Sequence, residues 1–149
     1  MKKQIDVAAA IICKENKIFA ARRRVGKHLA GLWELPGGKL EEGETPEQCL
    51  ARELEEELNI KARIGSLISE NIFDYGAKAI RLMAYEVKCF SGDFRLIDHD
   101  AMCWLALNEL NTIEWAPADI PLLDRYKELT EMAVCSSSSK SNGYIQENG

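Results

Sequence analysis

Gln4 to Lys14 is largely apolar (QIDVAAAIICK), which predicts a first strand buried on both faces. A Glu15-Asn16 turn leads into a second strand over Lys17 to Arg24, and Leu32 to Leu35 predicts a short third one running into Gly37-Gly38. The period then changes. Leu50, Leu54 and Leu58 recur at spacing four, the stripe of an amphipathic helix. Thr45 suits its N-cap, Pro46 its first position, Gln48 completes a capping box, and Asn59 suits a left-handed end. Lys61 to Asp74 and Lys78 to Phe90 predict two strands joined as a hairpin by Tyr75-Gly76-Ala77. Ser91-Gly92-Asp93 is a turn and Phe94 to Asp100 a loop. Ala101 to Leu105 is a last strand with Trp104 in the core, and Leu107 to Leu110 a single helical turn. A second helix begins at Ala118 or Asp119 and runs through Leu129, with Leu122, Leu123, Tyr126 and Leu129 on its apolar face. The order β-β-β-α-β-β-β-α implies an α+β fold with a sheet between helices.

The chain of 149 residues fits one domain, residues 1–132, and its 46% hydrophobic content supports a real core. Residues 133–149 read as a disordered polar tail, serine-rich from Ser136. A net charge of −5 argues against a surface for polymeric nucleic acid. The apolar run near the start is too short to cross a membrane and Asp6 interrupts it. Five cysteines with no CxxC spacing read as reduced thiols of a cytoplasmic protein.

Charge along the first helix changes the picture most. Gly38 to Ile60 carries eight glutamates against two cations, Lys39 and Arg52. At about 100° per residue, Glu53, Glu56 and Glu57 share one arc of about 100° beside the leucine stripe, while Glu55 points away. A solvated acidic face accounts for Glu47 and Glu55. It does not account for that arc, because like charges three and four residues apart repel. Divalent cations relieve such crowding, and carbonyls at Gly37 or Gly38 could add to the carboxylates. Other residues stay open between two readings: Trp33 between base stacking and core, and Phe73, Asp74 and Tyr75 between a base pocket and plain structure. His28 reads as a loop residue.

Gly38, Glu44, Arg52-Glu53-Leu54, Glu56-Glu57 and Ile60 stand at the spacings of the Nudix box, and the chain resembles that family from about Ile5 to Leu129. It departs at Asn59, where the family has Gly, a position that needs only left-handed backbone. The resemblance implies a Nudix-type α/β/α sandwich with a mixed, mostly antiparallel sheet. It implies Mg2+, with Mn2+ as substitute, held by Glu53, Glu56, Glu57, a carbonyl of Gly37 or Gly38, and Asp98 of the Asp98-His99-Asp100 cluster. Glu53 is the first choice of general base, with Glu44 or Asp98 as alternatives, and Arg52 orients Glu44 and its neighbours. Arg23, by its match to MutT-like members, is the expected substrate contact among Arg22, Arg23 and Arg24, and Lys39 joins it. The Trp115 to Leu123 segment is similar to that of bacterial cytidine-nucleotide pyrophosphohydrolases, and Asp119 stands where MutT-like proteins read the base, or else caps a helix.

The activity so implied is hydrolysis of a nucleoside triphosphate to the monophosphate and pyrophosphate, in nucleotide-pool sanitation and DNA repair. The substrate leans toward CTP, dCTP or modified pyrimidine triphosphates, with 8-oxo-dGTP as the alternative. A non-catalytic nucleotide sensor and a simple cation-binding protein are the readings from other classes.

Overall fold

Strand β1 (Lys3–Lys14) is the strand on which the rest is assembled, and it is buried on both faces as its composition predicts. The computed structural model describes residues 3–27 and 29–133. In order these form β1, β2 (Lys17–Arg23), β3 (Trp33–Glu34), β4 (Gly37–Lys39), α1 (Pro46–Leu58), β5 (Lys61–Arg63), β6 (Leu67–Asp74), β7 (Lys78–Val87), β8 (Cys89–Ser91) and β9 (His99–Ala106). A helix α2 over residues 120–133 follows. Seven strands make a mixed sheet in which β1 lies parallel to β7, and every other pairing is antiparallel.

Period-two alternation along β1 feeds two cores. Ala8, Ala10 and Ile12 face α1 and pack with Leu50, Leu54 and Leu58, all fully buried. Ala9 and Ile11 face the other way, onto Trp115, Leu122 and Leu123 below α2. The result is the α/β/α sandwich expected from sequence. Each leucine of the α1 stripe contributes roughly 1.5–3 kcal/mol of burial. Trp104 packs with Phe19, Phe90 and Phe94 against the α1 core.

The ends of α1 follow their sequence signals. Thr45 Oγ1 accepts from Gln48 N–H at 3.1 Å, and Gln48 Oε1 accepts from Thr45 N–H at 3.0 Å. Asn59 closes the helix in the left-handed region at φ 61°, its N–H donating to Glu55 O at 3.1 Å.

Several elements differ from expectation. Lys61 to Asp74 is not one strand: it breaks between β5 and β6, where Gly65 N–H donates to Glu86 O at 2.8 Å and a Cβ at Gly65 would meet that oxygen at 2.7 Å. Lys78 to Phe90 divides likewise, because β8 leaves the main sheet to pair with β5. Gly37-Gly38 lies in strand β4, paired with Ala9 and Ala8 of β1. His99 and Asp100 belong to β9 and not to a loop. A 3-10 turn over Pro117–Asp119 precedes α2, which runs past Leu129 to residue 133. His28 and the tail from residue 134 lie outside the described residues.

Among the described residues no helix is long and apolar enough to cross a membrane, and Cys13, Cys49, Cys89 and Cys103 are free thiols.

Asn59→Ala is expected to destabilise the fold by about 1–2 kcal/mol, because alanine pays the left-handed penalty, and the Asn59 Nδ2 donation to Asp93 O at 3.1 Å is lost. Asn59→Gly should lie closer to the parent. Urea denaturation midpoints read both, and equal loss in the two variants would refute a backbone origin.

Candidate active site

Seating the leucine stripe on the sheet fixes what lies beside it. Glu53 and Glu57, one helical turn apart, are carried to the edge of β4. The approach is close: a Cβ at Gly38 would meet the Glu53 carboxyl carbon at 2.4 Å, and one at Gly37 would overlap backbone, meeting Ala8 O at 2.0 Å. Neither glycine is a positive-φ residue, so contact and not turn geometry selects them.

Arg52 gathers the acidic groups around it. Its Nε and Nη2 donate to the two oxygens of Glu44 at 2.8 and 3.0 Å, and its Nη1 donates to Glu53 Oε1 at 2.9 Å and Glu56 Oε2 at 3.2 Å. The first of these, with the Glu41 N–H, holds the Glu44 carboxyl down at about 2. Glu57 receives no such help. Burial, with a hydrogen bond to Glu53 and the charges of Glu53, Asp98 and Glu34 nearby, pushes its carboxyl up to about 9.

Opposite α1, a second wall rises from β2, β3 and β9. Arg23 Nη1 donates to Glu34 Oε1 at 2.8 Å, and His99 Nε2 lies 2.8 Å from Glu34 Oε2. Burial works to raise Glu34, but the His99 and Arg23 bonds outweigh it and leave the carboxyl below its ordinary range. At the floor, Leu35 N–H donates to Asp119 Oδ2 at 3.2 Å. Burial pushes Asp119 up to about 7 despite that bond.

Between the walls lies a cleft of about 410 Å3. Seven residues singled out from sequence line it: Arg23, Gly37, Gly38, Lys39, Glu57, Asp98 and Asp119. Glu53 abuts it through Gly38, while Glu44, Arg52 and Glu56 stand behind or beside it as one ion-paired group. Asp98 is half-exposed and 3.9 Å from Lys27 Nζ. Asp119 accepts from the backbone N–H of Leu35.

Four candidates fall away from the cleft. Trp33 packs against the α2-side core with the Arg22 guanidinium 5.7 Å from its ring centre. Phe73 joins the same core, Asp74 accepts from Gly76 N–H at 2.9 Å, and Tyr75 is exposed. The sequence reading assigns no role to Glu34 and His99, which form part of the second wall. The signal for Glu34 was a lone carboxylate inside the apolar run Leu32 to Pro36.

Among the described residues no three acidic, histidine or cysteine side chains are arranged to hold a metal ion by themselves. Arg52 already engages an oxygen of Glu53 and one of Glu56. The donor set still fits a small hard cation. Glu53 and Glu57 are oxygen donors crowded together with a shared proton in place of a countercharge, and such cations complete their shell with water and phosphate.

A profile of the NUDIX domain matches residues 2–126. The chain is 40% identical over 127 residues to the CTP pyrophosphohydrolase of Escherichia coli (strain K12), covering 85% of this chain and 94% of that one. It is 41% identical over 122 residues to a putative 8-oxo-dGTP diphosphatase 2 of Mycobacterium tuberculosis, covering 80% and 84%. The solution structure of the E. coli ORF135 protein superposes with a TM-score of 0.80 at 40% identity, over 87% of this chain and 92% of that one.

The Asp119 geometry carries a pH signature. Its carboxyl stays protonated in the fold up to about 7 but ionises near 4 in the unfolded chain, so its contribution is intact at low pH and lost as pH rises through 7. Asp119→Asn keeps an oxygen for Leu35 N–H and removes the titration. The variant should therefore gain stability relative to the parent between pH 4.5 and 8, by on the order of a few kcal/mol. An equal difference at both pH values, read from urea midpoints, would contradict this.

Proposed function

The chain belongs to the NUDIX family, and from that premise we propose that it hydrolyses nucleoside triphosphates to the monophosphate and pyrophosphate with Mg2+. The observation that carries the reading is the pairing of two walls across one cleft: crowded carboxylates of α1 on one side, Arg23 and Asp119 on the other. Glu53 and Glu57 would hold the ion, with Glu56, Asp98 and a carbonyl of Gly37 or Gly38 completing the set. When bound, the ion neutralises phosphate charge and makes water a stronger nucleophile.

The chain's own residues do the rest. Arg23 and Lys39 meet phosphate oxygens, Arg23 by the planar fork that suits them. Glu53 accepts the proton from the attacking water. Glu44 is unsuited to that role, since a carboxyl near 2 with both oxygens engaged takes a proton poorly at neutral pH. It serves to hold Arg52, which in turn orients Glu53.

At the base end, Asp119 offers acceptor lone pairs when ionised and favours a base with an exocyclic amine. Together with the similarity to a CTP pyrophosphohydrolase, this supports CTP, dCTP or a modified pyrimidine triphosphate. Similarity to a putative 8-oxo-dGTP diphosphatase supports the second substrate reading. A carboxyl poised near 7 also presents an O–H to such a base when protonated. The work proposed is sanitation of the nucleotide pool in the cytoplasm, where free thiols persist.

Product analysis on CTP, dCTP, 5-substituted dCTP and 8-oxo-dGTP, with Mg2+ and with chelator, tests the activity. Metal-dependent pyrophosphate release is expected, whereas tight binding without turnover would make the protein a sensor. Glu57→Gln should lower kcat by about 10²-fold or more while stabilising the metal-free protein at pH 8, because the fold holds the Glu57 proton up to about 9 and the unfolded chain releases it near 4.5, so the parent loses stability as pH rises between them. Near-normal turnover in that variant would remove Glu57 from the site.

A further inference from the structure

His99 is a residue that the metal and phosphate chemistry leaves unused, yet it is among the most enclosed polar groups of the cleft. Its side chain is 3% exposed. Its Nδ1 is buried and has no hydrogen-bond partner among the described residues, and its Nε2 faces Glu34 Oε2 at 2.8 Å. These two facts fix the tautomer. A proton on Nδ1 would be a buried donor with nothing to accept it, whereas a proton on Nε2 is met by a carboxylate oxygen. His99 Nε2–H therefore donates to Glu34 Oε2.

Glu34 is then held from both ends, one oxygen by His99 and the other by Arg23 Nη1 at 2.8 Å. The backbone arranges this. Between β2 and β9 the register runs Arg22 to Ala101 and then Arg23 to His99, so one extra residue, Asp100, bulges. The bulge lets Asp100 reach Arg22 Nε at 2.7 Å on the exposed side while His99 turns inward beneath Arg23. A carboxylate between two fixed donors has no freedom to turn, and neither does a guanidinium that shares it.

We propose that His99 is a positioning residue for substrate binding: it locks Glu34, and through Glu34 sets the Arg23 guanidinium that meets the nucleotide's phosphates. This rests on reading the cleft as a nucleotide site. It makes Glu34 a brace and not a general base, and it places the bulge at Asp100 among the features that tune affinity.

The test compares the parent with His99→Leu and His99→Gln, each alone and in an Arg23→Ala background. KM and kcat are measured on the preferred triphosphate, and Kd by calorimetry on a non-hydrolysable nucleoside triphosphate. His99→Leu should raise KM and Kd about tenfold and leave kcat within about threefold. His99→Gln, whose amide N–H still reaches Glu34, should recover most of that loss. In the Arg23→Ala background, His99→Leu should add less than about twofold, because the two act as one unit. Thermal melts confirm folding, and His99→Gln keeps the comparison readable should the leucine variant be unstable. The proposal is overturned if His99→Gln is as impaired as His99→Leu, if the Kd effect persists undiminished without Arg23, or if kcat falls while KM stands. A parent protein that neither binds nor turns over a triphosphate would refute the nucleotide reading itself. Normal binding by the parent with no change in the variants would refute only the role of His99.

Discussion

Everything in the site depends on one packing constraint: the leucine stripe of α1 must lie on β1, and that docking forces an acidic edge against the backbone of β4. Leu50, Leu54 and Leu58 are fully buried, and their burial outweighs the repulsion it brings about. Where α1 meets β4 the Glu53 carboxyl lies over Gly38, and where β4 pairs with β1 a Cβ at Gly37 would overlap Ala8 O. The alanines of β1 belong to the same constraint, because small residues let helix and strand approach. Fold and site are thus not separable here; the hydrophobic contact that stabilises the domain is what concentrates the negative charge.

That charge is only half neutralised. Arg52 pairs with Glu44, Glu53 and Glu56, which keeps Glu44 ionised and fixes the mouth of the helix. Glu57 lies beyond its reach and keeps a proton instead. A single guanidinium therefore divides the acidic face into a braced part and an unbraced part, and the unbraced part opens into the cleft.

How much of this is legible in the sequence depends on the range of the interaction. The capping box at Thr45 and Gln48, the left-handed Asn59 and the leucine stripe are local, and the structure shows each where the sequence places it. The Glu53-Glu57 edge follows from helical periodicity. What could not be read is set by partners distant in the chain. The break at Gly65 answers to Glu86, β8 leaves the sheet for β5, and Gly37-Gly38 becomes a strand because β1 offers an edge. Glu34 and His99, sixty-five residues apart, signify nothing until the β2–β9 bulge brings them together. Trp33 and the Phe73 to Tyr75 tip stay open in the sequence for a related reason: aromatic composition does not reveal which face of a strand meets the cleft.

The cleft binds an anion, on the proposed reading, although four of its lining residues are acidic: Glu34, Glu57, Asp98 and Asp119. The walls resolve this in different ways. Glu34 stays charged, but two fixed donors consume that charge. Burial pushes Asp119 up to about 7 and Glu57 up to about 9, so each carries less negative charge than an ordinary carboxylate near neutral pH. On the same reading, a hard cation held by Glu53 and Glu57 would take over the neutralisation that a proton supplies without it. An acidic cleft built this way can stay folded without its ion and still present ionised oxygens when the ion and a polyphosphate arrive together. On that reading, protons held by buried carboxylates, and not a basic surface, would let a chain of net charge −5 accept a triphosphate.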